Sequence, residues 1–367
     1  MATLKSLTRR KPRVAFVLSG GGNLGALQIG MLRALTEHGI VPDVVLGCSV
    51  GAMNGAAFAL EPNRSGVDRL EEHWTTGISV MPPSRLPSVL QMIRKGESLH
   101  SNDSLRRGLE ILLGATRRFE DLQLPFECIA AEVDTAAEHW FTEGYLVPPV
   151  LASAALPAVF PVVTIEGTRY VDGGVVDNVP ISRAVELGCR EIYVLHVGRH
   201  GRPDAEIRRP IDAAMQAYWV ARNGRFARDL AALPDGVEAV ILPPGRRPEI
   251  RYDDFSRTPE LIAQGYDNSM PFLDERAELD TERRIRSDVL RPLERWMVSA
   301  RNRSWRQEAQ RAAVDPGGGI VTAPPAGGDG AEVDGDGDGN GAGVPGGTGP
   351  VPDRGATPLP PDGERPE

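Results

Sequence analysis

Two rhythms of apolar residues alternate along most of this chain. Short unbroken runs read as strands buried on both faces, and they are followed by stretches with apolar residues at helical spacing. "RVAFVLS" (13–19) and "PDVVLGCS" (42–49) are of the first kind, and "GALQIGMLRALTEHG" (25–39) and "GAMNGAAFAL" (51–60) of the second. Further along, "FECIAAEVD" (126–134) and "HWFTEG" (139–144) read as strands joined by a turn, and "PPVLASAAL" (148–156) as a short helix. "RYVDGGVVDN" (169–178) is a strand entering a turn, "SRAVELG" (182–188) a helix and "REIYVLHVG" (190–198) a strand, with "GVEAVILPP" (236–244) the last strand expected. This alternation predicts an α/β fold, a three-layer sandwich with a mainly parallel sheet between helices on both faces. In such a sheet, ligands bind beyond the carboxyl ends of the strands.

Three stretches depart from the alternation. Residues 64–118 are helical and partly amphipathic, broken by "PPSRLPS", and are placed to cap a site or cover the sheet. Residues 204–232 form a long helical region, and 276–312 another, in which Leu290, Leu293, Trp296 and Met297 share a face among arginines. From Val314 to the end the chain is rich in Gly, Pro and Asp, and cannot bury enough apolar surface to fold. The expected organisation is a basic arm over 1–12, a main domain over 13–275, a helical extension over 276–313 and a disordered tail over 314–367.

Charge and composition narrow the function classes. The formal net charge is −9 over 367 residues, most of it carried by the last stretch, which has few basic residues, so no nucleic-acid partner is expected. The basic beginning, "MATLKSLTRRKPR", lacks the apolar core of a secretory signal. No run reaches the roughly 18 apolar residues of a spanning helix, so any membrane contact is expected to be peripheral. Cys48, Cys128 and Cys189 have no zinc or CxxC spacing; they read as reduced core thiols of a cytoplasmic chain. Within the tail, "DGDGDGNG" (334–341) imitates a calcium loop but has Pro345 where the twelfth-position Glu belongs. No metal or other cofactor is expected.

The candidate chemistry begins at "SGGGNLG" (19–25), a glycine turn between strand and helix. Such a turn cradles an anion on its backbone N–H groups. Gly20, Gly22 and Gly25 satisfy the dinucleotide pattern GxGxxG, which also wants an acid at the end of the next strand. Asp43 stands at the beginning of that strand instead, and no P-loop lysine is present. The end of that strand carries "GCSVG" (47–51), a G-x-S-x-G at a strand-to-helix junction. There, flanking Gly47 and Gly51 allow the sharp turn that projects a serine hydroxyl above a sheet. Ser49 is therefore the candidate nucleophile, and the N–H groups of Gly20, Gly21 and Gly22 a candidate oxyanion hole beside it.

A serine nucleophile needs a base. The chain order Ser49, Asp172, then His196 or His200 fits a Ser–Asp–His arrangement. Alternatively, Asp172 acts alone: "DGG" (172–174) leaves its carboxylate unobstructed at a strand end, with Gly173 and Gly174 making the turn. Asp177 is a weaker rival. A nucleotide-binding protein and a non-catalytic interaction protein remain alternative readings.

The segments "SGGGNLGALQIGML" (19–32), "GCSVGAMNGA" (47–56), "ASAALPAVFPVV" (152–163) and "YVDGGVVDNVP" (170–180) together resemble the patatin-like phospholipases, in family order. The resemblance implies a Ser49–Asp172 dyad without a catalytic histidine, an oxyanion hole at Gly20 to Gly22, and metal-free hydrolysis of lipid acyl esters through an acyl-enzyme. The chain has Leu24 where many members carry a basic residue.

Overall fold

A computed structural model describes residues 14–77, 101–157, 159–197, 210–245, 254–289 and 319–322. All of them lie in the unit Met1–Ala326. The basic arm, His200, the arginine-rich face at Leu290 to Met297 and the calcium-loop imitation lie outside the described residues.

The strands are β1 (Val14–Leu18), β2 (Val44–Cys48), β3 (Phe126–Glu132), β4 (Ala137–Phe141), β5 (Val163–Ile165), β6 (Thr168–Asp172), β7 (Glu191–Leu195), β8 (Glu238–Ile241) and β9 (Gly319–Thr322). The helices are α1 (Gly25–Glu37), α2 (Val50–Leu60), α3 (Arg64–Glu72), α4 (Asp103–Leu113), α5 (Val147–Ser153), α6 (Ile181–Glu186), α7 (Pro210–Ala231) and α8 (Thr258–Val289). They make one sheet in the order β5-β6-β3-β2-β1-β7-β8-β9, with β4 also paired to β3. The five central strands, β3, β2, β1, β7 and β8, are mutually parallel. Both margins are antiparallel.

Side-chain alternation on the central strands divides the interior in two. Phe16 and Leu18 of β1, with Tyr193 and Leu195 of β7, enter a large core with residues of α1, α2, α4 and α5. Ala15, Val17, Ile192 and Val194 point the other way, into a smaller core with Ile181, Phe226 and Leu230. Two apolar layers against one sheet give the expected sandwich.

Three features differ from the sequence expectations. Gly319–Thr322 is a strand along the outer edge of β8, inside the stretch expected to be without structure. The apolar "GIV" suffices to add a short edge strand once β8 offers unpaired backbone groups. β5 is a three-residue strand, too short for a periodicity to register. Finally, the expected boundary at 276 falls within α8. That helix lies across α1 at close range, because a Cβ on Gly30 would strike the backbone of Ile262, and one on Gly265 the backbone of Leu27. Arg276, nearly buried, then pins the helix to the sheet, donating to Glu238 Oε1 at 2.6 Å and Glu191 Oε1 at 3.0 Å.

The arrangement around β3 positions the site. β4 occupies one edge of β3 over Cys128–Glu132. The opposite edge is shared: β2 pairs with it up to Cys48–Ile129, and β6, running the other way, ends on it at Asp172–Ala130. The carboxyl ends of β2 and β6 therefore meet head to head.

Candidate active site

Ser49 follows β2 directly and caps α2. Its φ of 55° and ψ of −123° place a non-glycine residue where L side chains are strained. Packing enforces this. A Cβ on Gly47 would stand 2.5 Å from Gly51 O, and one on Gly51 would strike Leu18 O. The two glycines thus let α2 leave the sheet at once and pass against the end of β1, which gives G-x-S-x-G a steric reason. The Ser49 N–H donates to Ser153 Oγ at 2.9 Å, so α5 buttresses the turn. Ser49 itself is half-buried.

Asp172, 1% exposed, ends β6 beside it. Its Oδ1 accepts from the Gly174 N–H at 2.8 Å and from Tyr218 Oη at 3.4 Å, with Cys48 Sγ at 4.0 Å. The Ser49 side chain stands close enough to this carboxylate to favour its charged form. Burial pushes the Asp172 carboxyl up to about 6, against the pull of these hydrogen bonds and of the Arg222 charge. Burial, then the Asp172 charge, raises the Tyr218 phenol well above its ordinary value, which keeps it a neutral donor. Arg222 lies over the Tyr218 ring, 5.6 Å from its centroid, one turn along α7. Sequence inspection alone does not find Tyr218 or Arg222. They belong to a helix distant in the chain from both strands, and only the i, i+4 spacing marks them as a pair.

The glycine turn adjoins this pair. The point where a Cβ on Gly20 would stand is 3.1 Å from Ser49 Cβ and 2.5 Å from Asn178 Oδ1. Gly22 has φ +59°, and Gly25 packs on Val50 and Trp74 too closely for a side chain. The turn rests on buried polar side chains: Gln28 Nε2 donates to Ser19 O at 2.8 Å, and the Val197 N–H to Ser19 Oγ at 3.1 Å. Gly20 needs a correction as an oxyanion donor. Its N–H already donates to Asn178 O at 3.2 Å, so it ties the turn to the "DGG" segment instead. Gly21 and Gly22 stand at the start of a 3-10 turn, where N–H groups have no intrahelical acceptor. Leu24 is 3% exposed and belongs to the large core. Gly173 lies against Ile129 O and Gly174 against the Tyr218 hydroxyl, with no room for a side chain at either.

The rivals among the described residues lie elsewhere or are otherwise engaged. The His196 ring is buried and stacks on Phe226 at 4.8 Å, in the smaller core. Asp177 accepts from the Val179 N–H at 3.0 Å and lies 3.8 Å from Arg225. Burial first, then Asp229, pushes its carboxyl up to about 7. Asp43 sits at the beginning of β2 and accepts from the Val14 N–H, at the far end of the strand from Ser49. Among the described residues there is no cluster of acids, cysteines and histidines able to hold a metal ion. No described helix is long and apolar enough to cross a membrane.

Several known proteins are similar to this chain. Mouse (Mus musculus) patatin-like phospholipase domain-containing protein 7 is 31% identical over 193 residues, which are 52% of this chain and 14% of that protein. The lysophospholipase NTE1 of Eremothecium gossypii is 27% identical over 220 residues, 57% of this chain and 13% of that one. The chain thus spans about one seventh of the length of these relatives. Among solved structures, VipD from Legionella pneumophila matches 72% of this chain and 67% of its own at 17% identity, with a TM-score of 0.38. The sequence model of the family described as Patatin-like phospholipase matches residues 16–185, just under half of this chain.

Proposed function

We propose that the chain is a serine hydrolase of lipid acyl esters, with Ser49 as nucleophile and Asp172 as the sole general base. One observation carries this reading: the side chain of a strained, half-buried serine stands next to a buried carboxylate and draws its titration down. A carboxyl raised to about 6 is ionised at neutral pH, yet more basic than an exposed aspartate. The names of the relatives, phospholipase and lysophospholipase, make a phospholipid or lysophospholipid ester the favoured substrate class. Contact with the lipid surface would be peripheral, made by a cytoplasmic protein.

In the proposed reaction Asp172 takes the hydroxyl proton as Ser49 Oγ attacks the ester carbonyl. Charge develops on the carbonyl oxygen, facing the N–H groups of Gly21 and Gly22. One such donor contributes roughly 3 kcal/mol to the transition state. The intermediate collapses, the proton passes to the leaving alcohol, and an acyl-serine remains. Water then attacks this ester, giving its proton to Asp172. The carbon–Oγ bond breaks, Ser49 recovers the proton, and the fatty acid leaves.

A long-chain fluorophosphonate probe tests the assignment. Mass spectrometry should find the adduct on Ser49 in the wild type. Ser49→Ala should take none, and Asp172→Asn should label far more slowly. Label at another residue, or none on folded protein, overturns the proposal. A Ser–His–Asp enzyme would lose activity on His196→Ala; here that variant should retain most of it.

A further inference from the structure

Asn178 is 2% exposed and polar at both ends of its amide. Its Nδ2 donates to Gly20 O at 3.3 Å, and its main-chain oxygen accepts from the Gly20 N–H at 3.2 Å. Its Oδ1 has no hydrogen-bond partner. A buried acceptor left without a partner is costly, so its place in the site needs a reason. The amide orientation is fixed, because the reverse would set Oδ1 against Gly20 O.

Two glycines locate that oxygen. It lies 2.5 Å from the point where a Cβ on Gly20 would stand, a point 3.1 Å from Ser49 Cβ. It also lies 2.8 Å from the corresponding point at Gly174, which is 3.0 Å from Asp172 Oδ1 and closer still to Tyr218 Oη. The unpartnered acceptor therefore lies between the serine and the carboxylate, where Gly20 and Gly174 carry no side chain.

Resting on the Ser49–Asp172 reading, we propose that Asn178 is a further catalytic residue, whose Oδ1 accepts a hydrogen bond from the water that hydrolyses the acyl-enzyme. A water there has two protons to place. One goes to Asp172 as the water oxygen bonds to the acyl carbon. The other stays on that oxygen and is held by Asn178 Oδ1, which turns a lone pair toward the carbonyl. The carbon–Oγ bond then breaks, the proton on Asp172 passes to Ser49 Oγ, and the free carboxylic acid departs. Acylation needs no such acceptor, since Ser49 has a single proton to give, and that goes to Asp172. Asn178 thus acts in one half of the cycle.

The test separates the halves. With p-nitrophenyl butyrate, p-nitrophenol release reports acylation, and intact-protein mass spectrometry reports the acyl-Ser49 fraction. In Asn178→Leu, steady-state turnover should fall at least about tenfold, as expected when an attacking group loses its orientation. The first turnover should stay within about twofold of wild type, and acyl-Ser49 should accumulate above the wild-type level. If the leucine variant does not fold, Asn178→Ala should show the same partition. Equal slowing of both phases, which loss of the Gly20 tether alone would cause, overturns the proposal. So does turnover without added acyl-Ser49. If wild type takes no fluorophosphonate at Ser49, the dyad reading itself fails; if it labels but the variant shows no partition, only the role of Asn178 does.

Discussion

Cys48 and Asp172 end two strands that run toward each other along one edge of β3. They pair with successive residues, Ile129 and Ala130, and their side chains meet with Sγ 4.0 Å from Oδ1. Ser49, one residue past Cys48, is therefore set beside the carboxylate by sheet register and not by a flexible loop. A site built on rigid elements keeps the close tolerance that proton transfer demands.

The pH dependence of turnover follows from the burial of Asp172. In the proposed reaction its ionised form is the base, so kcat/KM for a soluble ester should rise through pH 6 and level off above it. Tyr218 donates to the carboxylate and so favours the charged form. Tyr218→Phe should move the midpoint to higher pH. A wild-type midpoint near 4 would show that the base is not this carboxyl.

Burial of Asp172 also bears on stability, and the sign can be worked out. The folded carboxyl titrates above its ordinary 3.8. Its contribution to stability is complete below 3.8 and is lost as pH rises through about 6. The gap amounts to about 3 kcal/mol. Asp172→Asn keeps the size and the acceptor for the Gly174 N–H without the charge. The variant should be inactive, yet melt several degrees above wild type at pH 8, with the gap closing by pH 4. Thermal melts across that range decide it.

Much of the site was legible because strand ends are. An apolar run closing on "GCSVG" or "YVDGG" places a serine or an aspartate at a sheet rim without further information. The pairing of those rims was not legible. Alternating helices and strands suggest parallel neighbours, whereas β6 is antiparallel to β3, and that reversal brings Asp172 to Ser49. Gly20 could not be told from Gly21 and Gly22, since its N–H is engaged by Asn178 across a long chain separation. Tyr218 is missed for the same reason: its partner is distant in sequence. β9 is missed because its register depends on β8, in a stretch whose composition predicts no structure.

The backbone at Ser49 makes a third prediction. A non-glycine residue at φ 55° and ψ −123° costs on the order of 1 to 3 kcal/mol, and glycine relieves most of it. Ser49→Ala removes the hydroxyl but keeps the strain; Ser49→Gly removes both. Neither variant should label with fluorophosphonate. Ser49→Gly should nevertheless be the more stable, by about 1 kcal/mol in denaturant unfolding. Equal stability would mean that the turn relaxes once the hydroxyl is gone.

Two glycines, Gly51 and Gly224, should respond to alanine with opposite sign. A Cβ on Gly51 would strike Leu18 O and stand 2.7 Å from Ser19 O, both main-chain atoms of the sheet end. Neither can move without parting β1 from β7 or shifting the glycine turn that follows β1. Gly51→Ala should therefore destabilise by about 2 kcal/mol or more, as overpacking against backbone does, and should slow Ser49 labelling because α2 is displaced. Gly224 lies exposed within α7, with nothing within 4 Å of an added Cβ. There alanine only removes the backbone entropy that glycine loses in a helix, so Gly224→Ala should stabilise by about 0.5 to 1 kcal/mol. Its labelling rate should be unchanged, because α7 reaches the site through Tyr218 and Arg222 on the turns before it. Parallel denaturant titrations of the two variants measure both signs. Destabilisation by Gly224→Ala would contradict the continuous helix at that position.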